Sequence, residues 1–310
     1  MKITKSRIFH TSFVQIILAI FSFTFITIAV LTIKLFNNGN CNCNHPDSLQ
    51  GSLPYEPLIN FEKPSLEHKL AILVPYRERF EELLTFVPYI HRFLLRQKIN
   101  HDIFILNQVD TFRFNRASLI NVGYLETRIN YSYIAMHDVD LLPLNHNLSY
   151  SYPKMPTHIA APNLHPRYHY EKFIGGILLI NREHFELVNG MSNRYWGWGL
   201  EDDEFYVRLK DANLTVVRPK DITTGTKDTF RHIHGKDRKR DMEKCYNQKE
   251  VTRRRDRQTG LHSVKYNILK RTKLLIEESP VTIINIQLIC DHSLTPWCDC
   301  GPKKSDNKKS

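Results

Sequence analysis

Short apolar runs alternate with longer amphipathic segments between residues 70 and 220, a pattern that predicts strands alternating with helices. The predicted strands cover residues 69–74, 101–106, 131–136, 174–180, 214–217 and 281–289. The predicted helices cover residues 78–96, 115–128, 182–189 and 201–213, and Pro88 should interrupt the first of them. Strands that alternate with helices in this way indicate an α/β fold with a largely parallel sheet.

An uncharged apolar run at residues 12–33 is long enough to cross a bilayer as one helix. A cleavable signal peptide is the alternative, but no small-residue cleavage site follows the run. Basic residues precede it, which favours a cytoplasmic N-terminus and a single-pass type II topology. We therefore expect a cytoplasmic tail (1–11), a transmembrane signal-anchor (12–33), a stem (34–66), a lumenal catalytic domain (67–300) and a basic tail (301–310).

The net charge of +11 suits a lumenal protein that meets nucleotide-sugar phosphates or acidic glycans. Nucleic acid is not an expected partner behind a membrane anchor. N-glycosylation sequons at Asn130, Asn147 and Asn213 are compatible with the secretory lumen, although their occupancy is open.

Four cysteines near the C-terminus permit three disulfide pairings. We prefer Cys290–Cys298 and Cys245–Cys300, although the sequence alone does not decide among the three. A zinc site at Cys298 and Cys300 is disfavoured because their spacing is too short and no second pair lies nearby.

Tryptophans and carboxylates are concentrated at residues 196–204, Trp-Gly-Trp-Gly-Leu-Glu-Asp-Asp-Glu. Adjacent carboxylates repel each other, so their burial is costly unless a cation, a base or a substrate hydroxyl requires them. Tryptophan faces beside carboxylates are typical of sugar sites, because the ring stacks on C–H faces. An acidic first turn of a helix is the alternative, but it does not explain Trp196 and Trp198.

Two further motifs predict a metal site. Asp138-Val139-Asp140 follows a predicted strand, and ligands bind beyond the carboxyl ends of strands in open α/β sheets. His232 and His234 share one face in extended backbone. Imidazole combined with carboxylate favours Mn²⁺ or another transition ion over Mg²⁺. Alone, the first motif could be a solvated turn and the second a polar surface.

Residues 75–79 and 114–116 begin or end predicted elements and contain arginines that could bind phosphate. Tyr168, Tyr170 and Phe173 could form a wall of a sugar pocket, or could equally be an aromatic core cluster. The other histidines near these motifs, His158, His165, His169 and His184, are expected to be structural.

The order of these motifs resembles the β-1,4-galactosyltransferase family. The shared residues are Phe114 to Ala117, Asp138 to Asp140, Ile174 to Gly176, Trp196 to Gly199, Glu201 to Asp203 and a late histidine. His232-x-His234 and the ending Pro296 to Cys300 resemble the xylose-using members. The resemblance covers residues 69–300 and implies a GT-A fold, Mn²⁺ and UDP-galactose as the donor.

The resemblance also implies site residues. Metal ligation is expected from Asp140, His232 and His234. Donor binding is expected from Pro75, Tyr76, Arg77, Glu78, Arg79, Phe114, Asn115, Arg116, Asp138, Val139, Asp140, Tyr168, Trp198, His232, His234 and Arg240. Acceptor binding is expected from Tyr168, Tyr170, Trp198, Leu200, Glu201, Asp202 and Asp203, with Asp202 as the general base.

The expected reaction is inverting transfer of galactose to O4 of xylose on a xylosylated proteoglycan core protein, in the Golgi membrane. Leu200 supports xylose, because relatives that use N-acetylglucosamine have a small residue there and a bulky side chain should crowd an N-acetyl group. The alternatives are transfer to N-acetylglucosamine or glucose, and a non-catalytic membrane-tethered glycan-binding protein.

Overall fold

A computed structural model describes residues 68–234 and 238–301 of the chain. All of them lie in the second of two units, Asn60–Ser310. The predicted tail, anchor and stem lie outside the described residues, as does nearly all of the basic tail. Within the described ranges, no helix has the length and apolar character needed to cross a membrane.

The central sheet has seven strands, in the order β5 (Thr157–His158), β6 (Ile177–Asn181), β3 (Tyr133–His137), β1 (Leu70–Tyr76), β2 (His101–Gln108), β9 (Ser279–Leu288) and β8 (Tyr266–Ile276). Its parallel middle consists of β3, β1, β2 and β9. All four strands match predicted strands, and each of their ends lies within two residues of the predicted end. The expected parallel core of the sheet is therefore present.

Antiparallel strands form both edges of the sheet. On one side β6 (Ile177–Asn181) pairs with β3, and the short β5 (Thr157–His158) pairs with β6. On the other side β8 (Tyr266–Ile276) forms a hairpin with β9. A separate pair joins β4 (Leu141–Pro143) to β7 (Phe230–His232). The predicted strand at 214–217 is wrong, because only Val217 forms an isolated bridge, with Thr157.

Five helices accompany these strands in the described ranges: α1 (Phe80–Arg96), α2 (Arg116–Thr127), α3 (Arg182–Leu187), α4 (Glu201–Asp211) and α5 (Gln248–Val251). The predicted interruption at Pro88 is wrong, since α1 continues through it. Pro88 is buried with the apolar face of α1, whose packing on the sheet outweighs the lost backbone hydrogen bond.

The core has two parts, one on each face of the sheet. Alternate residues of β1 point to opposite faces, so Leu70, Ile72 and Val74 pack with α1. Ala71 and Leu73 pack on the other face with residues of α2, α3 and α4. Burial on both faces explains why the middle strands are continuously apolar in sequence.

Helix α4 starts with the acidic residues 201–204, and a buried arginine in the same helix holds it in place. Arg208 donates two hydrogen bonds from Nε to the carboxylate of Glu204, each 2.9 Å long. Its Nη groups donate to the backbone carbonyls of Gly190, Asp256 and Thr259. One side chain thereby fixes α4 to two separate loops.

Both preferred disulfides are confirmed. Cys245–Cys300 joins the segment before α5 to the end of the described chain, with its Cα atoms 5.6 Å apart. Cys290–Cys298 closes a short loop after β9. Disulfides persist in oxidising compartments, in agreement with a secretory protein.

Replacing Arg208 with Met should destabilise the fold, because it leaves the Glu204 carboxylate buried without its cation. We expect the free energy of unfolding to fall by about 3–5 kcal/mol in chemical denaturation. Lys210→Met on the same helix is the control, because Lys210 is exposed. Equal stability of the two variants would contradict this role of Arg208.

Candidate active site

The carboxyl ends of β1, β2 and β3 meet at one edge of the sheet, where open α/β folds bind ligands. Residues 77–79 follow β1, residues 109–115 follow β2, and Asp138 to Asp140 follow β3. The Asp138 amide donates to the carbonyl of Gly176, which lies just before β6. Three of the predicted motifs therefore lie together in the fold.

The predicted metal residues also come together. The pairing of β4 with β7 sets Leu141 opposite His232, so Asp140 lies beside the end of β7. The nearer carboxylate oxygen of Asp140 is 3.7 Å from His232 Nε2 and 3.3 Å from His234 Nδ1. One donor atom from each of the three residues lies within 4.8 Å of the others.

The chemistry of this cluster fits a divalent transition ion. One carboxylate and two imidazoles suit Mn²⁺ better than Mg²⁺. Burial lowers the pKa of His232 despite the opposing Asp140 carboxylate, so the imidazole is neutral, as metal ligation requires. The other metal-capable group in the described ranges contains Cys290 and Cys298, whose thiols are joined in a disulfide.

Two arginines lie on the α1 side of Asp140, and both pair with Glu82. Arg79 Nη1 is 3.1 Å from Glu82 and 3.8 Å from Asp140. Arg238 forms a bidentate pair with Glu82, with distances of 2.8 and 2.9 Å. Arg79 thereby places a positive charge beside the candidate metal site, and Arg238 shares the Glu82 carboxylate with it.

Arg116, the first residue of α2, connects the two acidic motifs. Its Nε donates a hydrogen bond to Asp138 and its Nη1 donates one to Asp202, and each bond is 2.9 Å long. The two carboxylates raise the pKa of Arg116 although its burial acts in the opposite direction. Asp138 and Asp202 therefore lie on either side of one permanent cation.

The acidic residues at the start of α4 have unusual electrostatics. Burial raises the pKa of Asp202, and the nearby Arg116 opposes the rise. Burial and the Asp202 carboxylate raise the pKa of Glu201. The Tyr170 hydroxyl donates a hydrogen bond to Asp203. A partly desolvated carboxylate with a raised pKa is a suitable general base.

Gly175 leaves the space that Asp202 needs. A Cβ at this position would collide with the Asp202 carboxylate and would lie 2.6 Å from the Phe173 ring. Glycine at this position therefore leaves room for the Asp202 carboxylate and the Phe173 ring where they lie. Leu200, immediately before α4, has a φ of 75° and is 43% exposed.

The two tryptophans of the 196–204 block have different surroundings. Trp198 is 39% exposed, whereas Trp196 is 3% exposed and belongs to the core. The expectation that both rings are available to a sugar is wrong for Trp196, which packs edge-on against Phe112. The guanidinium of Arg240 lies 4.9 Å from the Trp198 ring and 5.9 Å from the Tyr168 ring.

Some predicted donor residues are engaged with the protein itself. Arg77 donates to the backbone carbonyls of Gln108, Asp110 and Phe112, and so fixes the loop after β2. Asn115 is buried and caps α2 by accepting a hydrogen bond from the Ser118 amide. Of the others, Pro75 and Val139 are buried, Tyr76 and Phe114 are partly buried, and Glu78 is exposed.

Three residues near the site were not predicted to contribute to it. His165 Nδ1 accepts hydrogen bonds from the amides of Arg167 and Tyr168, and so shapes the loop that carries Tyr168. Glu82 and Arg238 form the pair described above. No local motif marks the Glu82–Arg238 pair, because its two residues are 156 positions apart in the sequence.

Comparison with known families places these motifs in a known group. Residues 48–153 match the N-terminal region of glycosyl transferase group 7, and residues 155–235 match the N-terminal domain of galactosyltransferase. Drosophila melanogaster β-1,4-galactosyltransferase 7 is 65% identical over 76% of this chain and 74% of its own length. The chain belongs to the β-1,4-galactosyltransferase family.

Other members of the β-1,4-galactosyltransferase family agree with this assignment. The human β-1,4-galactosyltransferase 7 is 58% identical over 74% of this chain and 71% of its own. The Caenorhabditis elegans xylosylprotein 4-β-galactosyltransferase is 51% identical over 74% of this chain and 82% of its own.

A solved structure shares the fold. A Drosophila β-1,4-galactosyltransferase 7 mutant in complex with manganese, UDP-Gal and xylobiose has a TM-score of 0.75 and 64% identity, over 76% of this chain and all of that one. The expected GT-A-type fold is thereby confirmed, as is the resemblance noted in the sequence.

Gly175→Ala should disable the site without unfolding the protein. The added methyl group displaces Asp202, and a displacement of about 1 Å can cost roughly 100-fold in rate. Gly225→Ala is the matched control, because a Cβ there meets nothing within 4 Å. The measurement is kcat of both variants, with circular dichroism to verify folding. Unchanged kcat in Gly175→Ala would contradict the packing argument.

His234→Ala should weaken Mn²⁺ binding by more than the ~10–100-fold that loss of an outer-shell partner costs. The control is His169→Ala, because His169 Nδ1 bonds the Pro162 carbonyl and lies outside the cluster. Isothermal titration calorimetry with MnCl₂ alone measures both affinities. If His234→Ala binds Mn²⁺ as the unmodified protein does, His234 is not a ligand.

Proposed function

We propose that this protein transfers galactose from UDP-galactose to O4 of xylose on a xylosylated proteoglycan core protein, with inversion at C1. The observation that carries the proposal is the Asp138–Arg116–Asp202 bridge, which places the predicted donor and acceptor carboxylates on one cation beside the Asp-His-His cluster. The Drosophila relative, with UDP-Gal, xylobiose and manganese in one complex, supports the same substrates.

The donor lies along the carboxyl edge of β1, β2 and β3. Arg79, beside Asp140, is within reach of a diphosphate. The Asp138 carboxylate can accept a hydrogen bond from a ribose hydroxyl. Bound at Asp140, His232 and His234, Mn²⁺ would supply a Lewis acid for the charge that grows on the leaving diphosphate.

Asp202 acts on the acceptor. Its carboxylate removes the proton of xylose O4, and the oxygen attacks galactose C1 from the face opposite to the departing UDP. Glu201 and Asp203 flank Asp202 at the start of α4 and orient the sugar by hydrogen bonds. Tyr170, which bonds Asp203, and the exposed ring of Trp198 provide apolar faces for the sugar.

Leu200 supports xylose as the acceptor. It stands directly before Glu201, and its side chain is exposed toward solvent at the start of α4. Xylose has no N-acetyl group, so a bulky residue here does not obstruct it. The same side chain would crowd N-acetylglucosamine.

We also propose that residues 12–33 anchor the protein in the Golgi membrane, with residues 67–300 in the lumen. The uncharged run and the preceding basic residues support the anchor. The two disulfides support an oxidising compartment.

UDP release by the full chain in detergent tests the function, with UDP-galactose, Mn²⁺ and a β-xyloside. We expect release that requires both the xyloside and Mn²⁺. Release only with an N-acetylglucosaminide would overturn the acceptor assignment. No release with any acceptor, from folded protein, would favour a glycan-binding protein instead.

Asp202→Asn should lower kcat by about 10²–10⁴-fold, as expected for loss of a positioned base. Binding of UDP-galactose, measured by calorimetry, should persist. In the unmodified protein kcat/KM should fall as the pH decreases through the raised pKa of Asp202, since protonation removes the base. Near-normal turnover in Asp202→Asn would overturn the assignment of Asp202.

A further inference from the structure

Arg113, which lies between β2 and α2, uses all five of its guanidinium N–H groups within the protein. Nε and Nη2 form a bidentate pair with Asp241, with distances of 2.6 and 2.9 Å. Nη2 also donates to the carbonyl of Glu243. Nη1 donates to Gln248 and to the carbonyl of Trp297. The planar fork of arginine satisfies this set of acceptors, whereas lysine would not.

The partner of Arg113 is close to the candidate acceptor site. The carbonyl of Asp241 accepts a hydrogen bond of 2.9 Å from the Trp198 amide. The residue before it, Arg240, places its guanidinium over the rings of Trp198 and Tyr168. Asp241 therefore fixes the position of Arg240 and of the Trp198 backbone together.

Gly197 shows how closely these segments pack. A Cβ at this position, where φ is 82°, would collide with the Arg113 guanidinium and lie 3.1 Å from the Asp241 carboxylate. The Gly197 amide donates to the carbonyl of Phe114, which follows Arg113 in the chain. The loop that carries Trp198 is thus packed directly on the ion pair.

We propose that Arg113 and Asp241 are positioning residues for the acceptor site, and that they act through Arg240. Their ion pair holds Arg240 against Trp198 and Tyr168, so that the three side chains form one wall of the sugar pocket. Neither Arg113 nor Asp241 touches the reacting atoms. This inference rests on the proposed function, because it assumes that Trp198 and Tyr168 contact the acceptor.

Asp241→Asn is the sharper test of the pair, because Arg113 also supports Gln248 and Trp297. The asparagine preserves the shape of the side chain and removes its charge. We expect KM for the β-xyloside to rise about tenfold, the scale of a charge-assisted hydrogen bond. We expect kcat to change by less than about threefold, because binding is lost equally in the ground and transition states.

Asp211→Asn is the matched control. Asp211 also pairs with an arginine, Arg255, and its carboxylate is 39% exposed, compared with 36% for Asp241. It lies at the opposite end of α4 from Asp202. Unchanged KM in this control, together with similar thermal midpoints for both variants, would separate positioning from general stability.

A double-mutant cycle with Arg240→Ala tests whether Asp241 acts through Arg240. If it does, the double variant should have a xyloside KM less than about twofold higher than that of Arg240→Ala alone. Additive effects, or no effect of Arg240→Ala alone, would overturn the proposal. If Asp241→Asn fails to fold, Arg113→Lys takes its place in the cycle. Failure of the proposed function has a different signature, because the unmodified protein would then show no xyloside-dependent release.

Discussion

Like-charge repulsion among carboxylates is the constraint on which this site depends. Asp138 and Asp202 come from opposite halves of the described chain and would repel each other at this range. The guanidinium of Arg116 offsets that repulsion with one hydrogen bond to each. Because Arg116 is the first residue of α2, the cap of that helix by Asn115 also fixes where this charge lies. The start of one helix thereby sets the position of the segment after β3 relative to the start of α4.

The parts that could be predicted from the sequence are those with local signals. Buried parallel strands are continuous apolar runs, so β1, β2, β3 and β9 were found, and with them the edge of the sheet that bears the site. The spacings of Asp138 and Asp140, and of His232 and His234, indicated a metal cluster, and the structure brings one ligand atom of each of Asp140, His232 and His234 together.

The parts that could not be predicted depend on contacts between distant residues. Trp196 and Trp198 are equivalent in a sequence motif, yet one is in the core and the other is exposed, because the backbone turns at Gly197. The pairs Glu82–Arg238 and Arg113–Asp241 join residues far apart in the chain. Many side chains of β8 are polar, and its apolar residues do not recur with the spacing of a strand or a helix, so the sequence pattern did not predict this strand.

The Cys245–Cys300 link has a consequence for biosynthesis. The segment that bears Arg240 and Asp241 is fastened to residues 297–300 by this disulfide and by the hydrogen bond from Arg113 to the Trp297 carbonyl. Synthesis runs from the N-terminus, so Cys245 is made before β8, β9 and Cys300. The segment of Arg240 and Asp241 can therefore be fastened at residues 297–300 only after β9, the last strand of the central sheet, has been made. Until Cys300 follows, Cys245 lacks the partner that it has in the finished fold and is free to meet an oxidoreductase.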